Sequence, residues 1–308
     1  MEARPVLGLS EVAEWLRSYH GEQVVELEEL PSGYWSAAFG YRVGDRELVL
    51  RVGTQPYGFE MDRRAREFAR PGLPIPEVLD VGEAFGEAFA ISRRSRGRFL
   101  EAIDTSEAAA ARPAVLSLLG ALREVPAEPR GPASWYGDGG ATTWRHWLTA
   151  SLVDNPNLKV NGWRTSIAAD AALDELYRTC EDRVADQLDV CPERRDLVHG
   201  DLLNRNVLVA EDASRIEAVY SWKCSTRGDT LYDVAWCTFW SPWHAGIEAL
   251  DLWSAVRSEP WVGEHAATRH HCYVLHIGLR NLASLTWSGK NDERDEVAAR
   301  TASLLNAN

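Results

Sequence analysis

The chain has 308 residues, of which 45% are hydrophobic and 13 are Trp, enough to build one large folded domain or two smaller ones. Its 33 Lys and Arg against 46 Asp and Glu give a formal net charge of −13, which disfavours nucleic acid and anionic membranes and favours a cationic small molecule as partner. The five cysteines form no C-x-x-C pair, so we predict buried, reduced thiols and no zinc site. The N-terminus lacks the pattern of a secretory signal and no run is apolar enough to span a bilayer, so we expect a cytoplasmic protein.

The first ninety or so residues are predicted to form a small sheet with one helix inserted. The runs VVELEEL, AAFGYRV and ELVLRV alternate as strands do, and the turn at Gly44-Asp45 predicts an antiparallel hairpin. A charged helix follows in FEMDRRAREFA and ends at Pro71-Gly72. Two further strands are predicted in PIPEVLDVGE and EAFAISRR.

From Ser106 onwards apolar residues recur at helical spacing. Helices are predicted from Ser106 and over residues 144–153, 166–188, 231–256 and 266–285. The exception is residues 197–222, where short β-type runs flank polar loops, and residues 130–141 are predicted to be a long loop. The prediction is therefore an α+β protein in which a helical body carries one strand-and-loop insert.

The segment His199–Asn206 reads HGDLLNRN and places an acid five residues before an amide, directly ahead of the apolar run VLVA. One interpretation is a tight turn with a local Asx hydrogen bond. The other is a catalytic loop, in which Asp201 accepts a proton from an attacking hydroxyl and Asn206 ligates a hard cation such as Mg²⁺. The segment alone leaves both readings open.

Further segments decide between them, because this loop resembles the H-[GA]-D-x-x-x-x-N loop of the aminoglycoside phosphotransferase family. Five other segments resemble the hygromycin B branch of that family in the same order: LVLRV at 48–52, LPIPEVLDVGE at 73–83, ISRRSRG at 91–97, TTWR at 142–145 and FWSPW at 239–243. The resemblance implies a protein-kinase-like fold with a small nucleotide-binding lobe over 1–92 and a larger, mostly helical catalytic lobe over 93–308. It also implies ATP or GTP with Mg²⁺ as cofactors, and transfer of phosphate to a hydroxyl of a small molecule.

By the same resemblance, Asp201 is the catalytic Asp, Asn206 binds metal and His199 is a structural residue of the loop. Asp233 matches the acid that holds the catalytic loop by its backbone, although an acid in the first turn of a helix is also favoured by the helix dipole.

For the nucleotide, Gly33 and Ser36 match the hairpin that covers the phosphates, and Arg51 takes the strand position of the usual Lys. The acid that pairs with Arg51 is predicted on the following helix. The candidates are Glu60, which we favour slightly, Asp62 and Glu67. Backbone groups of the segment that ends in Ser92, Arg93 and Arg94 are predicted to hold the base.

One departure concerns the metal. The family has an Asp at the end of the strand after the catalytic loop, and this chain has Ser221. A neutral hydroxyl is a poor replacement for a carboxylate on a hard cation, and Asp229 is the nearest substitute in the sequence. Three interpretations follow: an active kinase with rearranged metal ligation, a pseudokinase that binds without efficient turnover, or a chain altered at Ser221.

The acceptor is predicted to be a hydroxylated, cationic molecule of the aminoglycoside or aminocyclitol type, contacted by Asn204, Trp240 and Trp243. Trp236, Trp240 and Trp243 share one helical face if the helix persists past Ser241, while Pro242 predicts that it ends or bends there. Aromatic stripes of this kind also occur in plain cores. The sequence does not indicate an oligomeric state.

Overall fold

The computed structural model describes residues 5–21, 23–33, 35–127, 141–158 and 160–306. Within these residues the chain divides into two compact units. The first comprises Met1–Ala102, Pro113–Ala121 and Leu203–Lys223, and the second comprises Ile103–Arg112, Leu122–Leu202 and Cys224–Asn308. The first unit thus extends to residue 102 and also includes two later segments of the chain. The division into a nucleotide-binding lobe over 1–92 and a catalytic lobe over 93–308 stays a prediction.

The first unit contains a five-stranded antiparallel sheet in the order β1-β2-β3-β5-β4. Its strands are β1 (Val24–Leu30), β2 (Ser36–Val43), β3 (Arg46–Gly53), β4 (Val78–Ala84) and β5 (Glu87–Arg93). Gly44 has φ of 57° in the β2–β3 turn, a conformation that glycine adopts at little cost. The predicted strands and the hairpin are therefore confirmed.

Two helices accompany this sheet, where one was expected. Helix α1 (Leu9–His20) places Val12 and Leu16 in a buried cluster with alternate residues of β3, among them Leu50. Helix α2 (Pro56–Ala65) packs Phe59 against Ala90 of β5, which lies on the opposite face. Because side chains alternate along β3, Arg51 points to the α2 side of the sheet while Leu50 points to the α1 side.

A second, three-stranded sheet of the first unit holds the chemistry-bearing segment. Its antiparallel order is β6-β8-β9, with β6 at Arg98–Phe99, β8 at Val207–Val209 and β9 at Ile216–Val219. The strands are short and apolar, and a hairpin joins β8 to β9. This hairpin brings the residues before β8 next to those after β9.

The second unit is mostly helical. Helix α10 (Ala266–Ser288) packs against several other helices of this unit and supplies much of the core. The helices of this unit are α4 (Trp144–Ala150), α5 (Trp163–Ala168), α6 (Ala171–Gln187), α7 (Leu231–Trp240), α8 (Ala245–Leu250), α9 (Leu252–Val256), α10 and α11 (Asn291–Leu305). A two-stranded antiparallel ribbon joins β7 (Asp196–Val198) to β10 (Thr226–Gly228), and helix α3 (Ala108–Arg123) has residues in both units.

Two predicted helices are interrupted. The helix predicted over 231–256 ends at Trp240, and a 3-10 turn over Ser241–Trp243 follows because Pro242 cannot continue the α-helical hydrogen bonds. The helix predicted over 166–188 breaks before Asp170, whose side chain caps α6 by accepting from the N–H groups of Ala172 and Leu173. Helix α11 had not been predicted.

The remaining sequence predictions have mixed outcomes. All five cysteines are buried thiols, in line with the prediction. The predicted loop over 130–141 lies outside the described residues, apart from Ala141. Within the described ranges, no helix combines the length and the apolar character needed to cross a bilayer.

Candidate active site

The Asp201 loop is held by a buried carboxylate. Asp233, in the first turn of α7, accepts hydrogen bonds from the backbone N–H groups of His199 and Gly200, both at 2.8 Å. The N–H of Asp201 donates to Nδ1 of His199 at 3.2 Å. Gly200 has φ of 74°, and a Cβ there would lie 2.8 Å from the carbonyl oxygen of Cys224. These contacts fix the backbone on which half-buried Asp201 sits and confirm the structural roles predicted for His199 and Asp233.

Burial gives Asp233 an unusual acidity. Its side chain is fully buried, and desolvation, with a smaller effect from the charge of Asp201, raises its pKa to about 7. The two N–H groups that it accepts from favour the charged form and limit this rise. The carboxylate that supports the Asp201 loop therefore titrates near neutral pH.

The predicted metal ligands Asn206 and Ser221 lie at adjacent ends of the β8–β9 hairpin. The N–H of Tyr220 donates to the carbonyl oxygen of Asn206 at 2.7 Å, which extends the pairing of the two strands by one step. Asn206 is 7% exposed. Ser221 has φ of 64°, in the left-handed region that Asp and Asn tolerate better than most residues.

These two residues fit Mg²⁺ in kind, because amide and hydroxyl oxygens are hard ligands, but they supply no carboxylate. Among the residues that the structure describes, no group of three or more His, Cys, Asp or Glu side chains is arranged to hold a metal ion. A metal bound by these two residues of the first unit would rest on neutral oxygens, with the phosphates of the nucleotide as its charged ligands.

Asp229 does not serve as the substitute ligand that we considered. It is fully buried, and its Oδ2 accepts from Nε and Nη2 of Arg269, at 3.1 and 2.6 Å, and from the Tyr273 hydroxyl at 3.0 Å. Its Oδ1 accepts from the N–H of Leu231 and lies 3.6 Å from Nη1 of Arg194. Both oxygens are occupied by protein groups, so that prediction was wrong.

The partner of Arg51 is Asp62, and our preference for Glu60 was wrong. Arg51 Nη1 lies 2.7 Å from Oδ2 of Asp62, whereas Glu60 pairs with Arg63. Positions 60 and 62 point about 200° apart around a helix, so only one of them can face the sheet. Asp62 shares the buried face of α2 with Phe59 and is 5% exposed.

Asp62 also reaches the strand that ends at Ser221. Its Oδ1 accepts from the N–H of Trp222 at 2.8 Å, so one carboxylate joins Arg51 to the backbone next to Ser221. Nε of Arg51 is buried and has no partner among the described residues.

A small recess opens beside this ion pair on the α2 side of the sheet. It is lined by residues of β3, α2, β5, the segment before β4 and the end of β9, namely Arg51, Asp62, Ile75, Pro76, Val78, Ser92, Val219, Tyr220 and Trp222. Ser92 is 2% exposed. The recess thus brings Arg51 and Ser92, two of the predicted nucleotide residues, together within the first unit.

The other two residues of the predicted base-binding segment make sheet contacts. The N–H groups of Arg93 and Arg94 donate to the carbonyl oxygens of Glu77 and Glu47. Their side chains pair with Glu77 and Glu28. Because these two N–H groups are already bonded, the predicted backbone contacts to the base are left to the carbonyl groups of this segment and to residues after Arg94.

The loop between β1 and β2 lies against the Asn206 loop within the first unit. A Cβ on Gly33 would lie 4.0 Å from the carbonyl oxygen of Asn204, and Ser36 begins β2. Arg205 donates from its backbone N–H to the carboxylate of Glu101 and from Nη1 to the carbonyl oxygen of Ser32. The sequence reasoning missed both roles. A role for Arg205 could have been suspected because it is a cation inside the predicted catalytic loop. No feature of the sequence pointed to Glu101.

The predicted acceptor residues of the second unit form an aromatic group where α7 ends. The ring centroids of Trp240 and Trp243 are 5.1 Å apart, and those of Trp236 and Trp240 are 6.1 Å apart. Trp243 is 38% exposed and donates from Nε1 to Glu296, while Nε1 of Trp240 is buried without a partner among the described residues. Trp236 is 8% exposed and belongs to the core.

A sequence profile of the phosphotransferase enzyme family matches residues 26–269. The chain belongs to this family. Hygromycin-B 4-O-kinase of Escherichia coli is 36% identical over 296 residues, which cover 92% of this chain and 82% of that protein. The predicted family and its phosphotransferase class are therefore confirmed.

Solved structures agree. A thermostable mutant of aminoglycoside phosphotransferase APH(4)-Ia, in a ternary complex with AMP-PNP and hygromycin B, has a TM-score of 0.82 and 33% identity, covering 96% of this chain and 97% of the other. A spectinomycin phosphotransferase, APH(9)-Ia, in complex with ADP and spectinomycin, has a TM-score of 0.57 at 13% identity over 98% of this chain and 94% of the other. The second likeness concerns the fold alone. The predicted kinase-like fold is confirmed.

Proposed function

We propose that this protein is an ATP-dependent O-phosphotransferase that acts in the cytoplasm on hygromycin B or a closely related cationic aminocyclitol. The observation that carries the proposal is the 36% identity to hygromycin-B 4-O-kinase over 92% of this chain. The acceptor position is proposed to be the 4-hydroxyl for which that relative is named.

In this proposal Asp201 acts on the acceptor. Phosphoryl transfer needs mainly positioning and charge stabilisation, so the carboxylate orients the attacking hydroxyl and accepts its proton as the new bond forms. The backbone that carries Asp201 is held by Asp233 through two hydrogen bonds of 2.8 Å. A carboxylate on a braced loop is suited to repeated, accurate placement of one hydroxyl.

The nucleotide is assigned to residues of the first unit. Arg51, with its buried and unpartnered Nε, donates to a phosphate, while backbone N–H groups near Gly33 and Ser36 cover the phosphates. The base is assigned to backbone carbonyl groups of the segment that ends in Ser92, Arg93 and Arg94 and to the residues that follow it. Asn206 and Ser221 hold Mg²⁺, which when bound neutralises charge on the phosphates.

The acceptor is assigned to Asn204, Trp240 and Trp243. The exposed indole of Trp243, fixed by its hydrogen bond to Glu296, offers a flat apolar surface to a sugar ring. The formal charge of −13 favours a polycationic acceptor.

A binding-only member of the family is the alternative that Ser221 raises. Against it stand the retained Asp201 and Asn206 and the two hydrogen bonds by which Asp233 braces the loop, a buried charge that a protein without turnover has no need to keep. We therefore favour the active enzyme.

The test uses the purified chain with ATP or GTP, Mg²⁺ and hygromycin B, with spectinomycin as the comparison acceptor. We expect nucleotide-dependent phosphate transfer to hygromycin B, with the modified oxygen located by NMR of the product. Asp201→Asn, which keeps the size of the side chain, should fold normally and lose at least about a thousandfold in kcat. Absence of transfer by the wild type, or near-normal turnover by folded Asp201→Asn, would overturn the proposal.

A further inference from the structure

The backbone of the catalytic loop is unusual at two successive positions. Asn204 and Arg205 have φ of 61° and 66°, a left-handed conformation that non-glycine residues seldom adopt. Two consecutive residues in this region persist only where neighbouring contacts hold them. Contacts with neighbouring residues therefore hold Asn204 and Arg205 in this conformation.

Two contacts made by Arg205 supply the restraint. Its backbone N–H donates to the carboxylate of Glu101, which lies in the 3-10 turn directly after β6, and β6 pairs with β8. Its guanidinium donates to the carbonyl oxygen of Ser32, a residue that is 6% exposed. One residue thus joins the Asn206 loop to a fixed point on one side and to residues 31–33 on the other.

Residues 31–33 lie between β1 and β2 and belong to no strand or helix. Gly33 approaches the carbonyl oxygen of Asn204, so the two loops run side by side within the first unit. A loop without its own hydrogen-bond ladder takes its position from such tethers.

We propose that Arg205 is a positioning residue that tethers residues 31–33 to the Asn206 loop and so sets the closed position of the phosphate-covering loop. The inference rests on the proposed function, since the loop covers phosphates only if the chain binds a nucleotide. The guanidinium suits this task because it remains charged and donates a charge-assisted hydrogen bond to a carbonyl oxygen. Glu101 fixes the backbone from which the tether starts.

The test replaces Arg205 by Met and by Lys in the full chain. Losing one charge-assisted hydrogen bond should raise the KM for ATP about tenfold, with kcat and the KM for hygromycin B changed less than about threefold. Arg205→Lys, which can still reach a carbonyl oxygen with one N–H group, should recover part of the loss. Arg215→Met is the matched control, because Arg215 is exposed and forms an ion pair with nearby Glu217.

A second readout does not depend on activity. Hydrogen exchange of the backbone amides of residues 32 and 33 should be faster in Arg205→Met than in the wild type and unchanged in Arg215→Met. Glu101→Gln keeps the guanidinium, and it should give a smaller change in the same direction. The proposal is overturned if exchange and ATP affinity are unchanged in folded Arg205→Met, or if kcat falls more than a hundredfold at constant KM, which would indicate a direct transition-state contact.

The two proposals fail in different ways. If the wild type phosphorylates no acceptor but binds a fluorescent ATP analogue more tightly than Arg205→Met does, the proposed function fails and the tether stands. If the wild type is an efficient kinase and Arg205→Met matches it in ATP affinity and exchange, the tether fails alone.

Discussion

Each unit contains an arginine–aspartate pair that is largely buried, and the two pairs differ in how completely they are satisfied. Arg269 and Asp229 of the second unit are 2% and 0% exposed and meet at 2.6 Å. Arg51 and Asp62 of the first unit are 15% and 6% exposed and meet at 2.7 Å. By distance and burial the two pairs are nearly equivalent.

Their remaining hydrogen bonds separate them. Arg269 also donates from Nη1 to the carbonyl oxygens of Val262 and Glu264, and Tyr273 donates to Asp229. Arg51, by contrast, lines a recess and keeps a buried Nε without a partner among the described residues. A saturated buried pair holds a fold together, while an unsaturated pair at a recess is available to a ligand.

The largest effect is expected at the saturated pair. Asp229→Ala leaves a buried guanidinium without its counter-charge, which should lower the free energy of unfolding by about 3–5 kcal/mol, measured by urea denaturation. Glu211→Ala, which removes an exposed acid in the turn between β8 and β9, should leave the urea midpoint nearly unchanged. A loss below about 1 kcal/mol for Asp229→Ala would make the two pairs alike and break the comparison.

The unsaturated pair should respond in activity more than in stability. Arg51→Met removes a hydrogen-bond donor to the phosphates and should lower kcat/KM for ATP about a hundredfold. The free energy of unfolding should fall by less than in Asp229→Ala. Arg63→Met, which breaks the neighbouring pair with Glu60, is the control and should be near normal. Wild-type kinetics in Arg51→Met would remove Arg51 from the nucleotide site.

Asp233 is a third buried carboxylate, and backbone N–H groups of His199 and Gly200 donate to it where an arginine donates to Asp62 and Asp229. Its folded pKa of about 7 lies above the ordinary value of 3.8, so it binds its proton more tightly in the folded state. Its contribution to the free energy of unfolding is therefore present at low pH and is lost as the pH rises through about 7. Accepting hydrogen bonds from both N–H groups requires the charged carboxylate, which predominates above about pH 7.

Accordingly, kcat should fall as the pH drops below about 7, and Asp233→Asn should lower kcat about tenfold at pH 8, because one of the two N–H groups loses its acceptor. The same variant should flatten the pH dependence of stability between about pH 4 and 7 relative to the wild type. An unchanged pH dependence of both quantities would show that Asp233 does not titrate in this range.

An effect of the same size as that of Asp233→Asn is expected at Ser221. Ser221→Asp adds a carboxylate beside Asn206 on a left-handed backbone that Asp tolerates, so the Mg²⁺ concentration for half-maximal nucleotide affinity should fall about tenfold. Ser214→Asp, in the β8–β9 turn, is the control for added negative charge. An unchanged Mg²⁺ requirement together with efficient wild-type turnover would show that the neutral ligands suffice.

Local patterns in the sequence were enough for the strands of the first unit, the Gly44 hairpin and the loop from His199 to Asn206, because alternation and motif spacing act over a few residues. The role of Asp233 came from the family resemblance, and its hydrogen bonds to the backbone of His199 and Gly200 agree with it. Local patterns did not settle where α7 ends, although Pro242 marked the break.

Only the tertiary structure decided which acids do which work. Glu60 and Asp62 are both acids on one helix, and the choice between them depends on which face of α2 meets the sheet. The sequence allowed Asp229 as a metal ligand, but its carboxylate accepts hydrogen bonds from Arg269, 40 residues later in the chain. Arg205 gains its tether from Glu101 and Ser32, 104 and 173 residues away. Partners so distant in sequence are brought together by packing, and no local pattern encodes packing.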